Sequence, residues 1–328
     1  MYSVKLRDNT VFQCSTEETI FQGAQNAGVY LEHSCLTARC SSCKTRVING
    51  EVTNVQDEFV LTSAERDGGF VLSCNAKPSS DLVLDLENLS RYGIPAPKTI
   101  PAKIDRLEFL NDDVVRVVFR TPPAQKLSYL AGQYVNLIKG TVKRSYSIAN
   151  APDQNGKLEF LIKNYDGGLM SRYWFSEAKP GDLLRVEGPR GSFFLRDNPN
   201  VETLVFLATG TGIAPVKAML ENASQTGDLK DKAIYMFWGG RYLPDLFWEP
   251  KFKELAFNYV PVLSRADESW SGHMGYVQDV LIKESIALDK AQVYACGSEA
   301  MIHSANELLT HNGLPENNFF SDAFVTTN

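Results

Sequence analysis

The sequence contains no long hydrophobic run and no beginning that resembles a secretion signal. No apolar stretch approaches the roughly 20 residues that a helix needs to cross a bilayer. The first residues, Met1–Asp8, alternate as a strand would and lack the charged and then apolar layout of a signal peptide. We therefore expect a soluble, cytoplasmic protein with no membrane partner.

An excess of positive charge is also missing. The 328 residues carry 33 Lys and Arg against 39 Asp and Glu, a formal net charge of −6. A nucleic-acid backbone is bound by a basic face, so we expect no nucleic-acid partner. The acidity is concentrated in residues 1–90, where 7 Lys and Arg face 12 Asp and Glu. Such a domain either has an ordinary solvated surface or is steered towards a basic docking surface.

Cysteine is uncommon, and its distribution argues against a disulfide framework. Of the 6 cysteines, Cys35, Cys40 and Cys43 follow the spacing C-x4-C-x2-C, and Cys74 comes later. This is the plant-type ferredoxin arrangement, in which four thiolates hold a [2Fe-2S] cluster. Structural zinc sites usually add a second cysteine pair or a histidine pair, and no histidine stands close to Cys74. Zinc and merely packed cysteines are the alternatives.

Changes in hydrophobic periodicity divide the chain into domains. Residues 1–90 predict a small α+β unit around the cysteine loop. Residues 91–101 contain closely spaced prolines and predict a semi-rigid linker. Residues 102–195 show short strands separated by Gly and Pro, which predict an antiparallel β-barrel. Residues 196–328 alternate strand and helix, which predicts a parallel sheet with helices on its faces.

A strand of the predicted barrel ends in the run Arg-Ser-Tyr-Ser. Alternation puts Arg144 and Tyr146 on one face, where they offer a cation for a phosphate and an aromatic plane for a flavin ring. Ser147 can point its hydroxyl towards flavin N5, where hydride arrives. Gly167–Ser171 leads into a short helix, and a glycine-rich turn there suits a pyrophosphate. An exposed Arg-x-Tyr pair is the common alternative, but the order of the motifs favours a flavin-binding domain.

A glycine-rich turn follows the first strand of the predicted parallel sheet. Gly210, Thr211 and Gly212 allow the backbone to approach a pyrophosphate, and the next helix directs its positive end at it. Pro215 stands where a Rossmann fingerprint has its third glycine. Cys296 ends a later strand at the same carboxyl edge, where open α/β sheets bind ligands. A plain strand–helix turn and a buried thiol are the alternatives.

These motifs cover essentially the whole chain and resemble the iron–sulfur flavoprotein branch of the ferredoxin-NADP reductase superfamily. The resemblance implies a β-grasp ferredoxin domain, an FAD-binding barrel and an NAD(P)H-binding α/β domain. It assigns Cys35, Cys40, Cys43 and Cys74 to the cluster, Arg144, Tyr146, Ser147 and Ser171 to FAD, Gly210, Thr211, Gly212, Pro215 and Cys296 to the nicotinamide nucleotide, Ser147 and Cys296 to the hydride-transfer site, and Phe320 or Phe324 to the flavin face.

The resemblance also implies a function. Electrons pass from NADH through FAD and the cluster to a partner protein, which is a CDP-4-keto-6-deoxyglucose 3-dehydrase of 3,6-dideoxysugar biosynthesis or a component of an aromatic-ring oxygenase or monooxygenase. A nucleotide-sensing binding protein and a flavin reductase without a partner protein are the other hypotheses.

One further resemblance and one departure from the family pattern affect these expectations. Ser264 and Arg265, with Tyr276, resemble the 2′-phosphate clamp of NADP-type members. A single arginine provides too little positive charge for a phosphate dianion. NADH is therefore the expected hydride donor, with NADPH as the alternative. Ala38 and Arg39 before Cys40, and Ser41 after it, stand at positions where ferredoxins often have glycine. We expect them to tighten the loop backbone, to alter hydrogen bonding to the sulfurs and to surround the point of contact with the partner.

Overall fold

The part of the chain that the structure describes is organised as two units. The computed structural model describes residues 1–153, 155–252 and 254–324. Residues Met1–Ile94 form one unit and residues Pro95–Phe324 the other. Within the described ranges, no helix is both long enough and apolar enough to cross a bilayer.

The first unit is a mixed sheet with a short helix packed on it. Its strands are β1 (Tyr2–Leu6), β2 (Val11–Cys14), β3 (Lys44–Asn49), β4 (Val52–Asn54), β5 (Phe70–Leu72), β6 (Ala76–Pro78) and β7 (Leu82–Leu84), and its helices are α1 (Ile20–Asn26) and α2 (Ser63–Asp67). The sheet order is β2-β1-β7-β3-β5, with β1 parallel to β7 and antiparallel to β2. This is the β-grasp arrangement expected from the resemblance.

Local sequence explains where the helix of this unit begins. Thr19 accepts a hydrogen bond from Gln22 N, and the Gln22 side chain accepts one from Thr19 N, so the two form a capping box. Ile20 and Ala24 are fully buried and join Leu6 and Leu84 in the core. The cysteine loop therefore runs between two anchored elements, α1 and β3.

The second unit begins with an antiparallel barrel. Its strands are β8 (Lys98–Asn111), β9 (Val114–Arg120), β10 (Tyr134–Lys139), β11 (Val142–Ser147), β12 (Lys157–Lys163) and β13 (Leu183–Arg190), and the helix α3 (Leu169–Arg172) continues as a helical turn to Glu177. The order is β11-β10-β13-β8-β9-β12. The two outer strands meet where Ala149 N donates to Glu159 O at 2.8 Å. The predicted barrel is confirmed, with Phe119, Phe160 and Trp174 filling its interior.

The structure differs from the sequence-based prediction at the start of this barrel. Strand β8 begins at Lys98, so residues 98–101, predicted as linker, lie in the sheet. Pro101 pairs only with Arg185 of β13, because pairing of β8 with β9 starts at Lys103. A proline is tolerated in a strand where one side has no neighbour, since its missing N–H breaks no ladder there.

The rest of the second unit is a parallel sheet flanked by helices. Its strands are β14 (Thr203–Thr209), β15 (Ala233–Gly240), β16 (Asn258–Leu263), β17 (His273–Met274), β18 (Ala291–Gly297) and β19 (Phe319–Ala323), and its helices are α4 (Ile213–Thr226), α5 (Val277–Leu281) and α6 (Glu299–His311). The order is β17-β16-β15-β14-β18-β19, and all neighbours are parallel, as predicted. Strands β14 and β18 are adjacent, so their carboxyl ends bring the Gly210 turn close to Cys296.

Candidate functional site

The four cysteines of the predicted cluster site lie together in the first unit as two pairs. Cys43 Sγ donates to Cys74 Sγ at 3.2 Å. Cys35 and Cys40 form the other pair through their thiols, and Cys35 N donates to Cys40 Sγ at 3.3 Å. All four are free of disulfide bonds. Three of the thiols come from one loop, and Cys74 closes the group from the segment after β5.

Two pairs fit a two-iron cluster. A [2Fe-2S] cluster takes four thiolates, two on each iron, whereas zinc needs its ligands to converge on one point. The donor set, four cysteines in pairs, is the one that the cluster requires.

Hydrogen bonds lower the pKa of one cysteine in each pair. The thiol of Cys40, with the amides of Thr37 and Arg39, lowers the pKa of Cys35 to about 5. Cys43 in the same way lowers the pKa of Cys74, helped by the amide of Ala38. In each pair the anionic form of one sulfur is therefore favoured by its hydrogen bonds, and iron binding must displace the protons that the cysteines still carry.

The loop backbone is strained at the positions that lack glycine. Leu36, Ala38 and Ser41 have φ of 56°, 57° and 55°, in the left-handed region that L-residues with a side chain seldom adopt. The same turns direct the amides of Ala38 and Arg39 at sulfur atoms. Strain in the loop thus accompanies the hydrogen bonds that stabilise the thiolates.

Strand β11 holds the aromatic residue of the predicted flavin motif in a fixed plane. Trp174 Nε1 donates to Tyr146 OH at 3.0 Å, and the two rings lie edge to face at 6.2 Å. Burial raises the pKa of Tyr146 to about 12, so the phenol is neutral at physiological pH. Arg144 lies on the same face of the strand as Tyr146 and is half-buried, and its guanidinium donates to Lys143 O at 2.8 Å.

Ser171 lies at the predicted glycine-rich turn. Its hydroxyl accepts a hydrogen bond from Tyr165 N at 2.9 Å, which closes the turn before α3. The side chain is buried, and the hydroxyl retains a proton that it can donate. Ser171 therefore has a hydrogen-bond partner within the protein, Tyr165 N, in addition to its predicted partner, FAD.

The dinucleotide turn packs directly on the end of β18. A Cβ on Gly212 would lie 2.2 Å from Cys296 O, so only glycine fits this contact. Trp238 Nε1 donates to Gly210 O at 3.0 Å and holds the start of the turn. Pro215 is buried in the first turn of α4, where a missing N–H costs nothing. The structure therefore places the Gly210–Gly212 turn against Cys296, with Pro215 in the helix that follows the turn.

Cys296 and Ser147 lie on either side of an acid that sequence reasoning missed. Ser147 Oγ donates to Asp322 Oδ2 at 3.5 Å, and Asp322 pairs with Cys296 across β18 and β19. Burial, and then the charge of Asp322, raise the pKa of Cys296 well above its usual value, so the thiol is neutral. Asp322 is 4% exposed. The sequence feature that could have identified Asp322 is a single acidic residue within the largely apolar segment Phe320–Phe324.

The structure separates the two candidate aromatic residues at the end of the chain. Phe320 stacks on Tyr294, with centroids 5.0 Å apart, against the face of the sheet. Phe324 N donates to Gly297 O at 2.9 Å, which puts Phe324 at the carboxyl edge beside Cys296. Of the two, Phe324 lies at the edge where the other candidate residues meet.

The possible 2′-phosphate residues lie at the ends of β15 and β16. Arg265 N donates to Arg241 O at 2.9 Å, and Ser264 Oγ donates to Gly240 O at 3.3 Å. Both arginines and Tyr276 are exposed. Arg241 is a second cation that the sequence analysis did not include.

Comparison with known proteins extends over the whole chain. Three family models match it in succession: a 2Fe-2S iron-sulfur cluster binding domain over residues 4–79, an oxidoreductase FAD-binding domain over 101–195 and an oxidoreductase NAD-binding domain over 206–307. The CDP-6-deoxy-L-threo-D-glycero-4-hexulose-3-dehydrase reductase of Yersinia pestis is 39% identical over 98% of both chains.

Two further relatives are more distant. The reductase component of propane 2-monooxygenase from Mycolicibacterium goodii is 32% identical, over 94% of this chain and 93% of that one. The solved structure of a ferredoxin reductase in carbazole 1,9a-dioxygenase aligns with a TM-score of 0.70 at 24% identity, over 99% and 98% of the chains. That structural match supports the fold.

Proposed function

Since the chain belongs to the NAD(P)H-dependent iron–sulfur flavoprotein reductases, with a [2Fe-2S] cluster, FAD and NADH as cofactors, we propose that it supplies electrons to a CDP-4-keto-6-deoxyglucose 3-dehydrase of 3,6-dideoxysugar biosynthesis. The observation that carries this choice is the end-to-end similarity to the Yersinia dehydrase reductase, which exceeds the similarity to the monooxygenase reductase. The cofactors supply hydride acceptance and one-electron transfer when bound, and the protein supplies their alignment and electrostatics.

In this proposal Cys35, Cys40, Cys43 and Cys74 hold the cluster. Amides of the strained loop donate hydrogen bonds to the sulfurs, which favours the reduced, more negative cluster. The neutral phenol of Tyr146 supplies a flat, apolar face for the flavin ring, and Arg144 supplies a charge for a phosphate of FAD. Ser171, within α3, donates to FAD beside the glycine-rich turn.

The residues at the carboxyl edge of the parallel sheet hold the hydride donor. The Gly210–Gly212 turn and the N-terminus of α4 suit the pyrophosphate of NADH. Cys296 packs beneath the proposed nicotinamide subsite and adds no charge there, because its thiol is buried and its pKa is raised. Asp322 accepts from Ser147 and so orients its hydroxyl. Phe324 covers the flavin face from the same edge.

The partner docks, in our proposal, beside the cysteine loop. Gln56 Nε2 donates to Thr37 O at 3.3 Å, so the segment that follows β4 lies along this loop. Phe59 of that segment is 91% exposed, and Arg39 of the loop is exposed as well. Glu58 accepts from Leu61 N at 2.9 Å and so fixes the segment that presents Phe59. An exposed aromatic ring on a fixed loop is a typical anchor of an interface.

Mixing with candidate acceptors tests the proposal. The purified protein with NADH should accelerate turnover of a sugar-nucleotide dehydrase, and Cys40→Ser should abolish that effect while NADH still reduces the flavin. Acceleration of an oxygenase component but not of the dehydrase would contradict the choice of partner and favour the monooxygenase-type function. Phe59→Ala should slow transfer to the dehydrase without changing flavin reduction, and Val11→Ala, at another exposed apolar residue of the same unit, is the matched control.

A further inference from the structure

A cluster of buried charges lies on α4, outside the residues assigned to the cofactors. The side chain of Lys217 is 8% exposed. Its ammonium donates to Ala149 O at 2.9 Å, lies 3.3 Å from Glu159 Oε1 and also donates to Glu221 one turn further along the helix. A lysine is seldom buried so completely unless it is paired, and here it has three oxygen partners.

Two of these oxygens come from the barrel: Ala149 O lies in the segment that follows the flavin strand β11, and Glu159 Oε1 belongs to a neighbouring strand. Ala149 comes shortly after Ser147, and Ala151 N donates to Glu221 Oε2 at 3.1 Å. Glu159 lies on β12 and closes the barrel against Ala149. Lys217 and Glu221 therefore hydrogen-bond to the carbonyl of Ala149 and the amide of Ala151, two backbone groups of one short barrel segment.

The same helix begins at the dinucleotide turn. Lys217 lies five residues beyond Gly212, which is about 7.5 Å along the axis at about 1.5 Å per residue. Helix α4 is therefore one rigid element with the proposed pyrophosphate site at its start and the barrel segment bound to its second turn. Its position sets the distance between Ser147 and Gly212.

We propose that Lys217 and Glu221 form a latch that aligns the nicotinamide site with the flavin site for hydride transfer. The latch rests on the proposed function, because it needs both sites to be occupied as described above. Lys217 and Glu221 act here as positioning residues, through the backbone of Ala149 and Ala151. Hydrogen bonds from charged groups to a backbone fix the relative position of two elements more strictly than apolar contacts do, because apolar side chains can shift against each other at little cost.

Two variants test the latch. Lys217→Met removes the cation and leaves two carboxylates, Glu159 and Glu221, with Arg116 as the one cation paired to them. Because that imbalance can unfold the protein, the second variant is Lys217→Met with Glu221→Met, which replaces the pair by apolar side chains of similar length. Glu159 keeps its ion pair with Arg116 at 2.7 Å in both variants. The matched control is Lys290→Met, which removes an exposed ion pair with Glu202.

The first measurement is the rate of flavin reduction by NADH in a single anaerobic turnover. The double variant should reduce flavin about 10- to 100-fold more slowly, since misplacement of reactants by about 1 Å costs on that order. The concentration of NADH at half-maximal rate should change less than about threefold, because the pyrophosphate turn is intact. Lys290→Met should match the unmodified protein. The second measurement is hydrogen exchange of a peptide spanning residues 148–153, which should become faster only in the latch variants.

The outcomes separate the two proposals. A folded double variant with an unchanged reduction rate and unchanged exchange would overturn the latch. Unmodified protein whose flavin NADH does not reduce would overturn the proposed function, and the exchange measurement would then still decide whether Lys217 and Glu221 hold the barrel segment. Recovery of the rate in Lys217→Arg, which keeps the positive charge, would support the latch.

Discussion

Gly212→Ala should uncouple the dinucleotide turn from the end of β18. The new Cβ would lie 2.2 Å from Cys296 O and 2.6 Å from Cys296 C, both of which are backbone atoms. Ordinary contact begins near 3.4 Å, so the turn must move by about 1.2 Å, an overpacking change that costs about 1–3 kcal/mol. The φ of Gly212 is −60°, so backbone strain adds nothing to this cost.

The displacement falls at the predicted site of hydride transfer. We expect Gly212→Ala to lower the rate of flavin reduction by NADH about 100-fold, because a shift of about 1 Å in the reacting geometry has that effect. The transition temperature of the second unit should also fall. Stopped-flow absorbance of the flavin and thermal unfolding of the same sample check the two effects.

Gly140→Ala supplies the contrasting case. Gly140 has φ of +58° in the turn between β10 and β11, and nothing lies within 4 Å of its Cβ position. Alanine there should cost about 1–2 kcal/mol of backbone strain and leave flavin reduction unchanged. If Gly212→Ala instead behaves like Gly140→Ala, with normal flavin reduction, then close packing of the turn on Cys296 does not position the donor and the reasoning fails.

Three further predictions concern other parts of the molecule. Ser41→Gly should stabilise the cluster-loaded protein by about 1 kcal/mol against thermal unfolding, because glycine adopts the observed φ of 55° without strain; no change in transition temperature would contradict it. Arg241→Ala with Arg265→Ala should leave the NADH rate unchanged and abolish any residual use of NADPH in a steady-state assay, whereas equal losses with both nucleotides would contradict a 2′-phosphate role. Lys143 lowers the pKa of Glu187 below 4.5, so this pair stabilises the fold above pH 4.5 and the contribution disappears as the pH falls through the folded pKa; Glu187→Gln should flatten that acid-side loss in urea titrations by less than about 1 kcal/mol, since the Lys143 side chain is 45% exposed and water screens the pair.

Local patterns were enough to predict most of the fold. The alternation in Val114–Arg120 and the strand–turn–helix order around Gly210 are properties of neighbouring residues, and the barrel and the parallel sheet built from them are confirmed. The prediction of a linker over residues 91–101 is wrong at its end, where residues 98–101 belong to β8. Proline normally excludes a strand, but Pro101 lies where β8 has a single neighbouring strand.

The parts of the site that could not be predicted depend on contacts between distant residues. Asp322 meets Ser147 across 175 positions of sequence, and no local period connects them. Lys217 and Glu221 have the spacing of an ordinary exposed ion pair on a helix, and only the barrel packed against α4 buries Lys217. The sequence alone does not distinguish the roles of Phe320 and Phe324, and the structure distinguishes them because Tyr294 stacks on Phe320.

The burial of Cys296 has a consequence for the chemical durability of the protein. Thiols are alkylated and oxidised as thiolates, and Cys296 is 0% exposed with a raised pKa. Peroxide, which oxygen forms with reduced flavins, would meet no thiolate there to convert to a sulfenic acid. A protein of this kind can therefore keep a sulfur atom beside its redox chemistry through many turnovers without a repair system for it.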